Sequence, residues 1–440
     1  MNRKSVLPIV LTIIAVALGL CGAAATPTFA GQKINVLLSN GSVQDNWKRQ
    51  VPNFEAKTGI QVTVDQLPED QEMPKVRTVL AAKSDEYDVI FYRGNLMPEL
   101  TSAGGVEALD PYIAKSKVQD KEFDYEGFVP AILSAFNLDG KQWGLPLMGA
   151  GTILYHNKDA FKAAGLDRPP RNLDELEQYA AKLKTPTQAA ICLRAKREMG
   201  INVFAWIFIW KIQGAKWFDN VRGNWFDEKW EPQLTTKEAI AATERYVKML
   251  QNYGPKGIAS YGWQECLLDF QQGAVAMWLD SIVWLAAMED PKQSKIVGKV
   301  GYSVVEGPGN RYGAADPWGF IMNAYSKNKD AAWELIRWAT SNETTLAMAK
   351  NKFGSPCRTK VIESDAMRAN APAEFVSAMG KAMSVADPAY KPLTKNLSEI
   401  NDLTSIAISK VLTGQATAAD AMKEANDAIR AIMKRDGYIK

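Results

Sequence analysis

The sequence predicts an α/β protein of more than one domain, on three observations. Strand-length apolar runs alternate with helical segments over residues 34–92, a similar alternation restarts near Gly151, and 440 residues, 47% of them hydrophobic, can fill two or three cores. Residues 34–39 are an apolar run ended by Asn40-Gly41, and residues 43–57 carry Trp47, Val51 and Phe54 at helical spacing, giving strand, turn and helix. Residues 61–64 alternate as a strand, residues 69–83 place Val76, Val79 and Leu80 on one helical face, and residues 88–92 form another strand. Strands separated by helices predict a mainly parallel sheet with covered faces, whose ligands bind beyond the carboxyl ends of the strands. The loops Asn40-Gly41-Ser42 and Tyr92-Arg93-Gly94-Asn95 stand at such ends.

In the second region, residues 152–156 read as a strand and 158–164 as a short helix closed by Gly165, while Asn172 caps a helix over 173–183. An unusually aromatic stretch, 201–230, precedes a helix over 236–252, strands over 274–279, 300–304 and 319–323, and helices over 330–340 and 343–350. The C-terminal third is almost wholly helical, with Gly414 as a stop. No short-period repeat supports a solenoid.

Arg3 and Lys4 followed by an apolar run over 6–20 and the small residues ending in Thr28-Phe29-Ala30 read as a secretory signal cleaved after Ala30. The run is shorter than the ~20 residues that a membrane-spanning helix needs. Cys21 follows the large Leu20, which argues against a lipid-attachment site. The net charge of +3 comes without a concentrated basic stripe, so a nucleic-acid partner is not expected. A single histidine, His156, rules out a multi-histidine metal site, and neither metal nor other cofactor is expected. Cys192, Cys266 and Cys357 permit at most one bridge within an exported chain, and spacing does not choose it.

The segment GLPLMGAGTILYHNKD (144–159) resembles the first interlobe crossing of the extracellular solute-binding proteins of ABC importers that take up sugars. FQQGAVAMWLD (270–280) is similar to the helix end and strand that deliver a polar residue to the cleft in that family, residues 332–347 to its N-lobe helix pair, and GQATAADAMKEANDA (414–428) to its terminal helix. Residues 191–194 and 214–230 look most like the binders of sugar alcohols and related sugars, although Ala150, Gly151 and Thr152 stand where those relatives carry an acid and hydroxyl residues. The resemblance implies a two-lobed, type II periplasmic-binding fold: a signal peptide over 1–30, an N-lobe at 31–147 and 319–358, and a C-lobe at 149–317 and 359–440 with a helical C-terminal extension. It implies a periplasmic protein that closes on a sugar, sugar alcohol or short oligosaccharide and presents it to ABC permease subunits; a monomer is expected, since nothing in the sequence requires an oligomer.

A polyhydroxylated ligand needs many oriented hydrogen-bond partners and an aromatic plate. Asp280, followed by Ser281, stands at a strand end where it meets a ligand hydroxyl or caps the helical segment that follows. Arg194 follows an apolar strand and offers a fork of donors, or is a surface charge beside Lys196 and Arg197. Asn40 and Asn95 can donate and accept at once, yet asparagine is equally a turn residue. Tyr92 is preferred to its neighbour Arg93 because it can stack and hydrogen-bond. Trp318, after Pro317, is the preferred stacking residue, and Arg358 falls near the last crossing. Most of Trp206, Trp210, Trp217, Trp225 and Trp230 are expected to be packing residues, and His156 to be structural.

Two rivals remain at this level. An exported carbohydrate-cleaving enzyme would need two flanking carboxylates, which no strand-end pattern singles out. A binder of a cationic amine would use an aromatic cage with Asp280 as counter-charge.

Overall fold

Nine strands of four or more residues, among the described residues, form two sheets: β1 Lys33–Ser39, β2 Gln61–Leu67, β3 Val89–Arg93, β4 Gly144–Met148, β5 Thr152–Asn157, β6 Ala189–Cys192, β7 Val275–Ser281, β8 Val300–Ser303 and β9 Trp318–Met322. The structure, a computed structural model, describes residue 29 and residues 31–440 apart from 121, 150, 214–228 and 308–312. The leader with Cys21 and Ala30, Trp217, Trp225, Ala150 and most of the 214–230 stretch lie outside the described residues.

The first sheet has the order β2-β1-β3-β9-β4 and the second β8-β5-β7-β6. The two-lobed α/β class holds, but the sheets are mixed rather than mainly parallel. β1 runs parallel to β2 and β3, and β6 to β7, whereas β9 is antiparallel to β3 and β4, and β5 to β7 and β8. The cause is the path of the chain. A strand that enters a lobe from the other one arrives at the cleft end of its sheet and runs against the strands that point toward the cleft, and β5 and β9 do this.

The helices that frame the site are α1 Ser42–Lys48, α2 Glu69–Ala81, α3 Ile201–Ile212, α4 Trp263–Gln271, α5 Asn342–Ala349, α6 Ala373–Ser384, α7 Leu397–Leu412 and α8 Ala418–Arg435. α2 packs on β1 and β2 through Val76, Val79 and Leu80. α3 is buried from Asn202 to Ile212 and apolar apart from Asn202 and Lys211, the latter paired with Asp387. Asn172 caps the helix Leu173–Leu183 by accepting from Glu175 N, and Gly414 ends α7 with φ +74°, both as the sequence predicts.

β4 of the first sheet leads through Gly149 into β5 of the second. Alongside it runs a later strand of chain: Met148 bridges Pro356, Gly149 N donates to Ser355 O at 2.9 Å, and Ser355 Oγ donates back to Gly149 O. Before this point α5 is held to the first lobe, where Asn46 Nδ2 donates to Met348 O; after it α6 packs on β5 and β8. Gly149, the chain beside it at Ser355 and the return through Pro317 into β9 connect the two sheets, and a closing motion of the lobes would turn about them.

Of the three cysteines beyond residue 30, Cys192 on β6 and Cys266 on α4 form a disulfide, with Cα atoms 5.6 Å apart. Cys357 is free and buried. Among the described residues no helix is long and apolar enough to cross a membrane, and no cluster of His, Cys, Asp and Glu could hold a metal ion.

Candidate functional site

A cleft opens between the two sheets. Its first wall comes from the β1–α1 turn with Ser39, Asn40, Ser42 and Gln44, from Glu69 at the start of α2, and from Arg93 and Trp318 at neighbouring strand ends. Arg194, Phe204, Trp263, Ser281 and Trp284 form the opposite wall, with Met148 and Asp316 at the hinge side.

The first wall is built by strand register. Trp318 lies directly opposite Arg93 across the β3–β9 pair, which places the guanidinium over the indole at 4.5 Å from its centroid. Phe91, two residues back on the same strand face, also stacks on Trp318, with ring centroids 5.7 Å apart. Arg93 donates to Glu69, so the cation beside Trp318 is paired with an acid.

Asp280 organises the second wall. Its Oδ2 accepts from Arg194 Nε at 2.7 Å, and its Oδ1 accepts from Arg194 Nη2 at 2.6 Å, from Ser281 N at 2.7 Å and from Trp284 Nε1 at 3.0 Å. The carboxylate is fully buried, and a two-point fork of this kind fixes the guanidinium plane. Burial opposes the Arg194 charge, but the Asp280 carboxylate overrides it and holds the pKa above the ordinary arginine value. Arg194 also packs over Phe204 at 4.2 Å, and Trp284 stacks on Trp263 at 4.7 Å. Both walls therefore present an aromatic face beside an arginine already paired with an acid.

A family model described as bacterial extracellular solute-binding protein matches residues 40–345. The chain belongs to the bacterial extracellular solute-binding protein family. It is 30% identical over 337 residues to the mannitol-binding protein of Pseudomonas aeruginosa, covering 72% of this chain and 76% of that one. Among solved structures, an ABC transporter solute-binding protein of Agrobacterium vitis S4 with bound D-mannitol is 26% identical with a TM-score of 0.81, covering 93% of this chain and 100% of that one. A ribitol complex from Agrobacterium radiobacter K84 has a TM-score of 0.83 at 22% identity, covering 92% of this chain and all of the other, and so shares the fold. As a solute-binding protein this molecule binds rather than catalyses, which removes the exported-enzyme rival.

In this solute-binding protein the cleft brings together Asn40, Arg194, Ser281 and Trp318 of the sequence-predicted residues. Asp280 is adjacent but does not face a ligand, since its oxygens are occupied by Arg194, Ser281 and Trp284; it is a positioning residue. Asn95 stands behind the first wall, where its Nδ2 donates to Asp316 Oδ1 at 3.0 Å and to the Tyr390 hydroxyl at 3.2 Å.

Tyr92 and Arg358 fall elsewhere. Strand residues alternate sides, so with Phe91 and Arg93 facing Trp318, Tyr92 points the opposite way into the core beneath α2, among Met73, Val76 and Leu96. Arg358 is buried: it donates to Thr340 O at 2.7 Å and to Asp124 O, and its guanidinium lies 3.6 Å from the Phe128 ring centroid. It ties the last crossing to the first lobe.

The structure adds Glu69, Arg93, Phe204, Trp263, Trp284 and Asp316. Arg93 was signalled by strand parity, and Glu69 by its place at the start of the helix after β2. Trp263, Trp284 and Asp316 carry no local signal; they reach the cleft through contacts between distant segments. Trp206 and Trp210 are buried packing residues, and His156 packs on Phe161 at 4.6 Å with burial pulling its pKa down to about 4.

Proposed function

We propose that the protein is the substrate-binding component of an ABC importer that captures a sugar alcohol or a related sugar between its lobes and delivers it to membrane permease subunits. The observation that carries this reading is the pairing of two aromatic faces, Trp318 on one wall and Trp263 with Trp284 on the other, with arginines that are already neutralised. A ligand with apolar C–H faces and uncharged hydroxyls fits such walls, because it stacks and hydrogen-bonds without leaving a buried charge unpaired. The mannitol named for the Pseudomonas relative and for the Agrobacterium vitis structure agrees with it. Asp280, the counter-charge that a cationic amine would use, is taken up by Arg194.

The lobe boundaries that accompany this reading are 31–147 with 319–358 and 149–317 with 359–440, supported by the membership of the two sheets. The protein acts in the periplasm as a monomer after loss of residues 1–30, in keeping with its extracellular family.

Thermal unfolding of ligand-stripped protein against sugars, sugar alcohols, oligosaccharides, amino acids and quaternary amines tests the proposal. A ligand at a hundred times its dissociation constant adds ~2.7 kcal/mol. The expected result is a rise confined to one stereochemical series of polyols or sugars; shifts with amines or amino acids alone would overturn it.

A further inference from the structure

Adjoining the cleft at Arg93 is a second interlobe cavity of about 230 Å³, against about 70 Å³ in the cleft. Arg93 is common to both. The remaining lining comes from α2, with Met73 and Arg77, from Asn95, from Met199, from Lys391 in the chain before α7 and from Asn401 on α7.

Charge is divided unevenly between the two spaces. Glu69 and Asp316 line the cleft and not the cavity, while Lys391 lines the cavity and not the cleft. Lys391 is only 5% exposed; its ammonium lies 5.5 Å from the Tyr390 ring centroid, and among the described residues no hydrogen bond or ion pair reaches it. The Nε of Arg93, on the shared wall, is also buried without a partner. Arg77 adds a third cation, held by Glu99 and Ser398. The carboxylates of the lining, Asp70 and Asp402, are exposed. A buried ammonium without an acceptor is costly, and an anion placed against it forms charge-assisted hydrogen bonds.

We infer that this cavity receives the anionic group, a carboxylate or a phosphate, of a polyhydroxy ligand whose hydroxylated chain lies in the cleft, so that the preferred ligand is an acidic derivative of a polyol. The inference rests on the polyol reading and names its substrate class more narrowly. Burial pulls the Lys391 pKa down to about 8; Asp316 opposes that shift, Arg93 and Arg194 add to it, and Glu69 opposes it. Lys391 is therefore charged at neutral pH in the empty protein and loses its charge above pH 8.

Calorimetric titration of the full mature protein at pH 7 with neutral hexitols, the matching aldonates, hexitol phosphates and inorganic phosphate tests this. At least one acid derivative is expected to bind about tenfold or more tightly than its neutral parent. That ratio should collapse toward one in Lys391→Met, and in the wild type it should shrink as pH rises past 8. Aldonates against hexitol phosphates separate carboxylate from phosphate. Neutral polyols binding as tightly as every acid, or a ratio that Lys391→Met leaves intact, would overturn the inference while leaving the polyol reading in place. If no polyol, neutral or acidic, binds, the polyol reading itself fails. The wild-type pH series decides the matter if Lys391→Met does not fold.

Discussion

Glu72 shows how sharply one side chain is constrained by its surroundings. It lies in the first turn of α2, fully buried, and neither carboxylate oxygen has a hydrogen-bond partner. Burial first, and the neighbouring Glu69 second, push its pKa up to about 8. A folded-state pKa above the unfolded value means that the stability linked to this group is fully present below pH ~4.5 and is lost as pH rises through about 8. Glu72→Gln should therefore stabilise the protein at pH 8 by something on the order of 3 kcal/mol and do little at pH 4, read by urea unfolding at the two pH values. Equal effects at both would show that folding does not raise the Glu72 pKa. Trp318 has two duties at once. It is 6% exposed, so Trp318→Ala should cost ~3–5 kcal/mol of stability as well as weakening binding, whereas Trp318→Phe, which keeps an aromatic plate, should retain affinity within about tenfold. Undiminished affinity in a folded Trp318→Ala would remove the residue from the site. Asp280 was visible in the sequence as a strand-end acid, but its role was not. Saturation by Arg194, Ser281 and Trp284 depends on partners up to 86 residues away, which no local pattern encodes.

At the scale of elements, the disulfide joins β6 to α4 and so fixes the spacing of two parts of the second cleft wall, since Arg194 lies two residues beyond Cys192 and Trp263 three residues before Cys266. Replacing both cysteines by serine should lower stability by ~2–5 kcal/mol and weaken ligand binding, measured by denaturant unfolding and titration. Peptide mapping should find Cys192 linked to Cys266 and Cys357 as a thiol; a bridge to Cys357 would contradict the placement of these elements. The pairing could not be chosen from sequence because three cysteines far apart in the chain offer three equivalent choices. Strands and helices were legible where periodicity is strong: β1, β2, β3 and β5, the capped helix Leu173–Leu183 and the stop at Gly414 all stand within a residue or a few of the sequence reading. Strand direction was not legible, because β9 is placed next to β3 and β4 by the return of the chain across the hinge and not by anything within its own five residues. The one-residue error between Tyr92 and Arg93 has the same origin, since the face a strand residue takes is set by its sheet partners.

For the whole molecule, the two sheets meet at a cleft whose walls are preassembled before a ligand arrives. The ion pairs lie within each wall, Arg93 with Glu69 and Arg194 with Asp280, so the paired lobes can part without breaking them. The aromatic faces, by contrast, belong to opposite lobes and can both touch a ligand only when the cleft is closed. A ligand then stabilises the closed form by the interactions it makes with both walls at once, and a transporter that recognises closure reads occupancy. The most direct measurement is a crystal structure of the mature protein with the polyol or sugar that raises its unfolding temperature most. The account predicts a ligand between Trp318 and the Trp263–Trp284 pair, hydrogen-bonded to Arg194, with Asp280 still bound to that arginine. A ligand seated on one lobe alone, or away from Trp318 and Arg194, would contradict it.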